Sequence, residues 1–462
     1  MFLAKILELF FGASAGGETS ASASADNGAK KPFTIVVTLM AGPGGDAAFN
    51  AVVSHLSNRP GVTIRPVHEC PVQRPIREDL TELNGVLKAC WNWIDRNEAD
   101  LAIWGETEGS TLRLRFVPHD TGGDGNDPAL SFADSLILPA EINDSHADLI
   151  YAAALSSVMP RNALQEKEQK RLLSGALVAF DRFLSNPVGL DAHQVEQTRI
   201  VGAAIATFIA IERSDVDRLH LIVATLRDVL AKMNKDASPI TWMVANRHLG
   251  DALLSIVSRN KDIVGLEESS KAYAEVTNGA ALQVLPHEWA EAKARLGKVM
   301  FRLAVDKPDM SLLRDSVSAY KSALTVFTKT VFPYRWAEMQ NSLGQVLATY
   351  GEASGNMEAM DQASKLFQNV LLVRTKESSP HMWAATQNNL GAVKFSYGKR
   401  KEDITALREA AECFRTALEI YTKLNITRTI HVTSNNLVRV ERMIGAWEAK
   451  QGGPGGTQPE AG

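Results

Sequence analysis

The chain has few cysteines, no strong charge bias and no long apolar run, and each lack excludes a class of protein. Its 462 residues include three cysteines, Cys70, Cys90 and Cys413, which form no CxxC pair. This usage indicates a reducing compartment and excludes a metal site built on thiolates. A net charge of −4 gives no general attraction for phosphate backbones, so nucleic acid is not expected as a partner. No apolar run approaches the roughly 18 to 20 residues that a transmembrane helix needs.

Signatures of catalysis are also missing. The sequence contains no GxxxxGK[ST], HExxH or GxSxG motif, and we therefore predict no enzymatic activity, no cofactor and no metal. The glycine turn from Gly42 to Asp46 follows a strand and precedes a helix, where a phosphate could bind. It lacks the GxGxxG spacing and a nearby basic residue, so a plain turn is favoured.

Two further polar or aromatic features have a simple structural interpretation. An acidic loop fails the spacing of a helix–loop–helix calcium site, and a solvated turn is favoured for its members, Asp120, Asp124, Asn126 and Asp127. A tryptophan cluster could line a ligand pocket, but core packing is favoured for its members, Trp91, Trp93 and Trp104.

The first 12 residues, MFLAKILELFFG, have an amphipathic pattern. As a helix they place apolar side chains on one broad face, with Lys5 and Glu8 opposite. The pattern favours an anchor at a membrane surface, with contacts from Phe2, Leu3, Ile6, Leu7, Phe10 and Phe11. A cleaved signal peptide and a segment folded back on its own protein are the alternatives. Residues 13–31 are expected to be a flexible tether, and residues 449–462 a disordered tail.

Residues 32–159 alternate between strand and helix patterns. Strands are predicted in FTIVVTLM, VTIRPV, DLAIWGE, STLRLRFV and SFADSLIL, with helices around AAFNAVVSHLSN, Leu80–Arg96 and SHADLIYAAALSSVM. This order predicts a small sheet with helices packed on it. The stretch 99–122, with Gly105, an alternating strand of Leu112, Leu114 and Phe116, and an Asp-Thr-Gly turn, resembles the TolB amino-terminal type of domain. That resemblance implies a domain often found before tetratricopeptide repeats in bacterial signalling proteins.

Four residue types recur every 47 residues in the second half of the chain. They are Pro239, Pro286, Pro333 and Pro380; Trp242, Trp289, Trp336 and Trp383; Leu249, Leu296, Leu343 and Leu390; and Gly250, Gly297, Gly344 and Gly391. Trp383, Leu390 and Val393 form one helical stripe, and Phe414 belongs to a second. Each repeat is therefore a helical hairpin that completes its core by stacking on its neighbours. We expect the repeat tryptophans to be structural and mostly buried.

The Leu-Gly pair and the pattern Ala410-x3-Phe414-x2-Ala417 resemble tetratricopeptide repeats, although that family's unit is shorter, at about 34 residues. The resemblance implies an all-α array of repeats at 160–448 that coils into a right-handed superhelix. Its clear repeats are 239–285, 286–332, 333–379 and 380–426. Degenerate end repeats are expected around Gly202-Ala203 and at Thr427–Leu437, because end repeats must present a polar face. The predicted fold class is thus a small α/β domain followed by an all-α superhelix.

Three asparagines, Asn341, Asn388 and Asn435, share the same spacing and each precedes the repeat leucine by two residues. Two helical steps turn them about 200° from that leucine, toward the side that lines the concave groove in the family it resembles. An amide there could bond a peptide backbone. The alternative is that each asparagine caps a backbone group or bridges adjacent repeats. Lys298 and Arg439 are predicted to add charged groove contacts to an acidic partner, and Arg247, at the asparagine position of the first clear repeat, is also predicted to line the groove.

Together these features predict a non-enzymatic scaffold that binds a protein or peptide partner in the groove of the array. We expect it to be cytoplasmic and held at the inner face of a membrane by its amino-terminal helix. The alternative is a regulatory or sensory protein whose α/β domain binds a small ligand and whose repeats relay that event to a partner.

Overall fold

The computed structural model describes residues 33–72, 74–76, 79–119, 128–161, 163–260, 263–279 and 282–451. The predicted anchor, tether and acidic loop, and nearly all of the predicted tail, lie outside these residues. The described chain forms two compact bodies, residues 33–299 (the amino-terminal body) and residues 300–451 (the carboxy-terminal body). No helix in the described ranges is long and apolar enough to cross a bilayer.

A five-stranded mixed sheet begins the amino-terminal body and contains all five predicted strands. The strands are β1 (Phe33–Thr38), β2 (Val62–Val67), β3 (Leu101–Glu108), β4 (Thr111–Pro118) and β5 (Leu136–Pro139). Their order is β2-β1-β3-β4-β5, with β1 parallel to β2 and β3, and with β4 antiparallel to both β3 and β5. The prediction of a small α/β region is confirmed, although β5 is shorter than its pattern indicated.

Helices cover both faces of this sheet, because successive strand residues point to opposite sides. On one face, Ile35 and Val37 of β1 pack in a core with α1 (Gly45–Ser57) and α3 (Asp144–Ser157). On the other face, Val36 packs in a core with α2 (Leu80–Arg96). That second core continues into the first helices of the repeat array, so sheet and array share one hydrophobic interior within this body.

Thirteen helices follow the α/β region among the described residues. The first two are α4 (Ala163–Leu172) and α5 (Ala176–Ser185), joined by a short 3-10 turn. The others form hairpins whose first helices are α6 (Ala192–Arg213), α8 (Pro239–Asn260), α10 (Pro286–Asp306), α12 (Pro333–Ser354), α14 (Pro380–Lys401) and α16 (Thr427–Gln451). Their second helices are α7 (Val216–Lys232), α9 (Ile263–Gly279), α11 (Met310–Ala323), α13 (Met357–Leu371) and α15 (Ile404–Lys423).

The helix starts keep the 47-residue step without insertion or deletion. First helices begin at 192, 239, 286, 333, 380 and 427, and second helices begin at 216, 263, 310, 357 and 404. The array therefore includes one in-register hairpin before the first clear repeat and one in-register first helix after the fourth. Both degenerate ends predicted from the sequence are confirmed as helical.

A glycine against an aromatic ring sets the spacing of the two helices in a hairpin. A Cβ built on Gly344 would lie 2.8 Å from the ring of Phe367, and one on Gly391 would lie 3.0 Å from Phe414. Gly250 meets Tyr273 in the same way at 2.8 Å. Those aromatic residues lie 47 residues apart with Tyr320 between them, and all are buried. The repeat glycine is therefore required by close packing within the hairpin.

An asparagine or aspartate caps the amino terminus of the second helix in each hairpin where the structure describes that helix start. The side chain of Asp309 accepts a hydrogen bond from the Ser311 backbone N–H, and that of Asn356 accepts one from Ala359. Asp215 and Asp403 cap their helices in the same way. Such caps satisfy backbone donors that the first turn leaves free, and they fix where each second helix begins.

Candidate functional site

The three predicted groove asparagines lie in three different environments. Asn341 is partly buried, and its Oδ1 accepts a hydrogen bond from the side chain of Asn389 at 3.2 Å. Asn388 is 1% exposed, and its Oδ1 accepts from the hydroxyl of Thr433 at 3.0 Å. Asn435 on α16 is exposed and lies 3.2 Å from the ring of His431. Of the three only Asn435 is exposed, so they do not form the open ladder expected from their spacing.

Asn341 and Asn388 instead join consecutive first helices. The Asn341–Asn389 bond links α12 to α14, and the Asn388–Thr433 bond links α14 to α16. In the amino-terminal body, Arg295 of α10 donates to Asp251 of α8 at 2.9 Å. We call these three links the inter-repeat seam. For Asn341 and Asn388 it corresponds to the alternative in which asparagines bridge adjacent repeats.

Arg247 was expected in the groove but lies in the core, which corrects that expectation. It is 5% exposed and pairs with the buried carboxylate of Asp134, which precedes β5. The imidazole of His248 bonds the same carboxylate at 2.6 Å, and Glu288 lies 3.9 Å from Arg247. Burial alone would raise the pKa of Asp134, but the Arg247 guanidinium and the hydrogen bond with His248 hold it below its ordinary value. A buried charge stays in place only when it is paired, so this network is structural.

The other predicted groove cations are accessible. Lys298 and Arg439 are both exposed. Lys298 belongs to the amino-terminal body, whereas Arg439 lies on α16, one helical turn beyond Asn435. The structure therefore brings Asn435 and Arg439 together on one helix.

The four repeat tryptophans share one environment. Each is partly buried, and each has a lysine ammonium over its ring at 5.4 to 6.0 Å. Lys235, Lys329 and Lys376 follow the 47-residue step, whereas Lys293 reaches Trp289 from the next turn of the same helix. A cation over an indole is attractive by about 0.5 to 1 kcal/mol at exposed sites. The tryptophans are thus equivalent packing residues at the start of each first helix.

In the α/β region the weaker candidates are packed rather than open. A Cβ at Gly42 would lie 2.2 Å from the carbonyl oxygen of Thr107, and Gly42 and Gly44 both have positive φ. Trp104 is fully buried, and Trp93 is 6% exposed in the same core. Trp91 donates to the carbonyl of Pro118 at 3.3 Å. These contacts agree with the plain turn and the core packing favoured from the sequence. Among the described residues no cluster of histidine, cysteine and carboxylate side chains could hold a metal.

One open repeat surface lies on α16, the first helix of the fifth repeat. In the two preceding repeats the glycines Gly351 and Gly398 abut their second helices; a Cβ on Gly398 would lie 3.0 Å from Leu407. Gly445 occupies the next 47-residue step. In the described part of the chain no atom lies within 4 Å of a Cβ placed there. Val438, which replaces the aromatic-contacting glycine, is 52% exposed.

This open face of α16 combines apolar and charged groups. Val438 and Gly445 lie on it, with Glu441 between them and with Asn435 and Arg439 alongside. Glu441 pairs with Arg415 of α15 at 2.9 Å, yet 46% of its side chain stays exposed. In repeats 3 and 4 a second helix packs on the same face, so this surface suits an amphipathic helix. Sequence reasoning found Asn435 and Arg439 as candidate contacts but not Val438 and Gly445, because the sequence does not show which neighbouring helix packs on each position.

The comparisons with known proteins add no family. No family model matches this chain, and no curated protein matches it. A solved structure described as a "Circular tandem repeat protein with novel repeat topology and enhanced subunit contact surfaces" is similar over 67% of this chain and 85% of that chain, at 13% identity and a TM-score of 0.23. A TM-score this low carries no argument about function. The repeat architecture rests on the chain's own 47-residue register.

Proposed function

We propose that this chain is a non-enzymatic scaffold that binds an amphipathic helix of a protein partner on the open face of α16. The observation that carries the proposal is the contrast between Gly398 and Gly445. Gly398 contacts a second helix, whereas at Gly445, the equivalent position, a Cβ would meet no atom of the described residues within 4 Å. A helix that supplied the missing contact would bury Val438 and the surface around Gly445.

The affinity of such a helix would come from a few apolar side chains. Burying each one is worth about 1.5 to 3 kcal/mol, and ordering the bound segment offsets part of that gain. Asn435 and Arg439 flank the apolar strip and would contact polar and acidic side chains at the edge of the partner helix. Lys298 remains a predicted contact on the amino-terminal body.

Two finer predictions stay proposals. A membrane surface as the binding site of residues 2–11 is supported only by their amphipathic pattern. A ligand-sensing role for the α/β region has less support, because the turn after β1 packs against Thr107 and is closed by its hydrogen bonds to Ala41 and Pro43.

Photocrosslinking tests the proposed function. A photoreactive residue would be placed at Val438 in the full chain, and the control would carry it at Leu372, an exposed apolar residue at the carboxy-terminal cap of α13. In extracts of its native cells, we expect a mapped partner adduct at position 438 only, and we expect Arg439→Glu to reduce it. Equal adducts at both positions, or adducts at position 438 that Arg439→Glu leaves unchanged, would refute the proposal.

A further inference from the structure

The open face of α16 has cations at positions that are buried and apolar in the preceding repeat. Arg442 stands one 47-residue step after Phe395, and Arg439 stands one step after Ala392. Both residues of α14 are buried, whereas both arginines are exposed. These positions of α16 have therefore changed from packing residues to residues that present positive charge to solvent.

The cations of α16 lie along one side of its open face. We call them the arginine row, which consists of Arg428, Arg439 and Arg442, all exposed. Helical steps of about 100° place these three within about 60° of one another. Glu441 and Glu448 lie on the other side of Val438, where they pair with Arg415 and Arg408 of α15, both at 2.9 Å. The two edges of this face therefore differ in charge.

The charge of the arginine row is not balanced within the described part of the chain. There the ion pairs of α16 are those of Glu441 and Glu448, and neither includes a member of the row. An end repeat needs a polar outer surface, but charges of mixed sign would provide it equally well. A row of one sign attracts anionic groups and rejects cationic ones. The row therefore favours a partner whose matching edge is acidic.

We propose that the partner helix is acidic, with a line of carboxylates along the arginine row and apolar side chains on Val438 and Gly445. This inference rests on the proposed function, because it names the chemistry of the partner at the same face. Arg439 and Arg442 are about one turn apart, and Arg428 lies about 16 Å from Arg439 along the axis, at about 1.5 Å per residue. The partner helix therefore needs two carboxylates about one turn apart and a third about eleven residues away on the same side.

The hairpins of the array indicate the direction of the partner helix. In repeat 4 the start of α15 lies beside the end of α14, since Leu407 contacts the position of Gly398. A helix that docks on α16 in the same direction places its first turns beside Arg439 and Arg442. Carboxylates in those turns are also stabilised by the dipole of their own helix. The two close carboxylates therefore belong to the amino-terminal part of the partner helix.

Synthetic helices test this charge preference on the full chain. Three peptides of about five helical turns would share one leucine stripe and carry Glu, Gln or Lys at the three positions that face the arginine row. Affinities would be measured by fluorescence anisotropy. We expect the Glu peptide to bind about tenfold more tightly than the Gln peptide. That difference should shrink between about 0.1 M and about 1 M salt, because salt screens exposed charges.

Charge reversal provides the matched control. Arg428→Glu combined with Arg442→Glu should reverse the order of the Glu and Lys peptides. Arg314→Glu combined with Lys321→Glu makes the same charge change at two exposed cations of α11 and should keep the wild-type order. All four side chains are exposed, so we expect both double variants to melt with the wild type.

Three results would overturn the inference. One is a Glu peptide that binds no more tightly than the Gln peptide, and another is a peptide order that Arg428→Glu with Arg442→Glu leaves unchanged. The third is flotation with phosphatidylserine vesicles that this double variant abolishes while no peptide binds, which would assign the row to a membrane surface. Protein adducts at position 438 that require Arg439 but neither Arg428 nor Arg442 would leave the proposed function standing and refute the acidic helix. The two failures are therefore distinguishable.

Discussion

Gly344 and Gly445 allow a matched test of how the hairpins pack. Both are helical glycines in first helices, but Gly344 faces the ring of Phe367, whereas a Cβ at Gly445 would meet no atom of the described chain within 4 Å. We predict that Gly344→Ala destabilises its hairpin, whereas Gly445→Ala stabilises α16. The two substitutions add the same methyl group, so their difference isolates the cost of crowding within a hairpin.

The magnitudes follow from the contacts. Alanine gains about 0.8 to 1 kcal/mol over glycine in a helix, and at Gly445 that gain stands alone. At Gly344 the new Cβ would lie 2.8 Å from the Phe367 ring, and forced overpacking typically costs about 1 to 3 kcal/mol. The two variants should therefore differ by about 1 to 3 kcal/mol. Phe367→Leu combined with Gly344→Ala should recover part of the loss, because it removes the clashing ring edge.

Hydrogen exchange is the suitable assay, because stability in a repeat array is local. Exchange of α12 and α13 should speed up in Gly344→Ala, while exchange of α16 should slow in Gly445→Ala. A Gly344→Ala protein whose α12 and α13 exchange no faster than in the wild type would refute the packing account. The same conclusion would follow if Phe367→Leu failed to recover any of the loss.

Two further predictions concern a partly buried imidazole and the asparagines. Burial, with help from Lys88, lowers the pKa of His287 to about 4, so its neutral form is the folded form. The free energy of unfolding that neutral His287 contributes should be fully present above the unfolded pKa of about 6.5 and should fall by up to about 3 kcal/mol as the pH drops to 4. Melting temperatures measured from pH 8 to 4.5 should therefore decrease with falling pH, and they should decrease less steeply in His287→Gln. Asn388→Ala should cost about 1 to 3 kcal/mol because it leaves the buried Thr433 hydroxyl unpaired, whereas Asn435→Ala should leave melting unchanged and lower partner capture on α16. Equal melting of the two asparagine variants would contradict this assignment.

Much of the architecture was predictable because the 47-residue markers report both helices of each hairpin. Pro333 and Pro380 open their helices as the first-turn proline rule predicts. Two further markers were visible but missed: the aromatic step of Tyr273, Tyr320, Phe367 and Phe414, and the aspartate or asparagine before each second helix. A repeat glycine indicates that a second helix approaches closely. The residue that contacts the glycine can be identified from the sequence only because an aromatic residue recurs at the same 47-residue spacing.

The groove residues were less predictable because helix geometry fixes only a direction. Asn388 does point away from Leu390, as the 200° offset requires, but a neighbouring first helix lies in that direction and buries it. Arg247 has the same position in its repeat and meets the α/β region through Asp134. Periodicity within one helix contains no information on what packs against its far side.

The pairing of Asp134 with Arg247 has a practical consequence for dividing this protein into fragments. The change in sequence pattern near residue 160 suggests a cut there, yet such a cut would leave Arg247 and His248 buried without their carboxylate. Removing one partner of a buried ion pair typically costs about 3 to 5 kcal/mol. An isolated helical array would thus lose its first repeats to misfolding, and a soluble fragment of it need not bind as the whole protein does. The α/β region therefore serves as the amino-terminal cap of the array. The two should be expressed as one protein, and we expect them to be retained together in one chain during evolution.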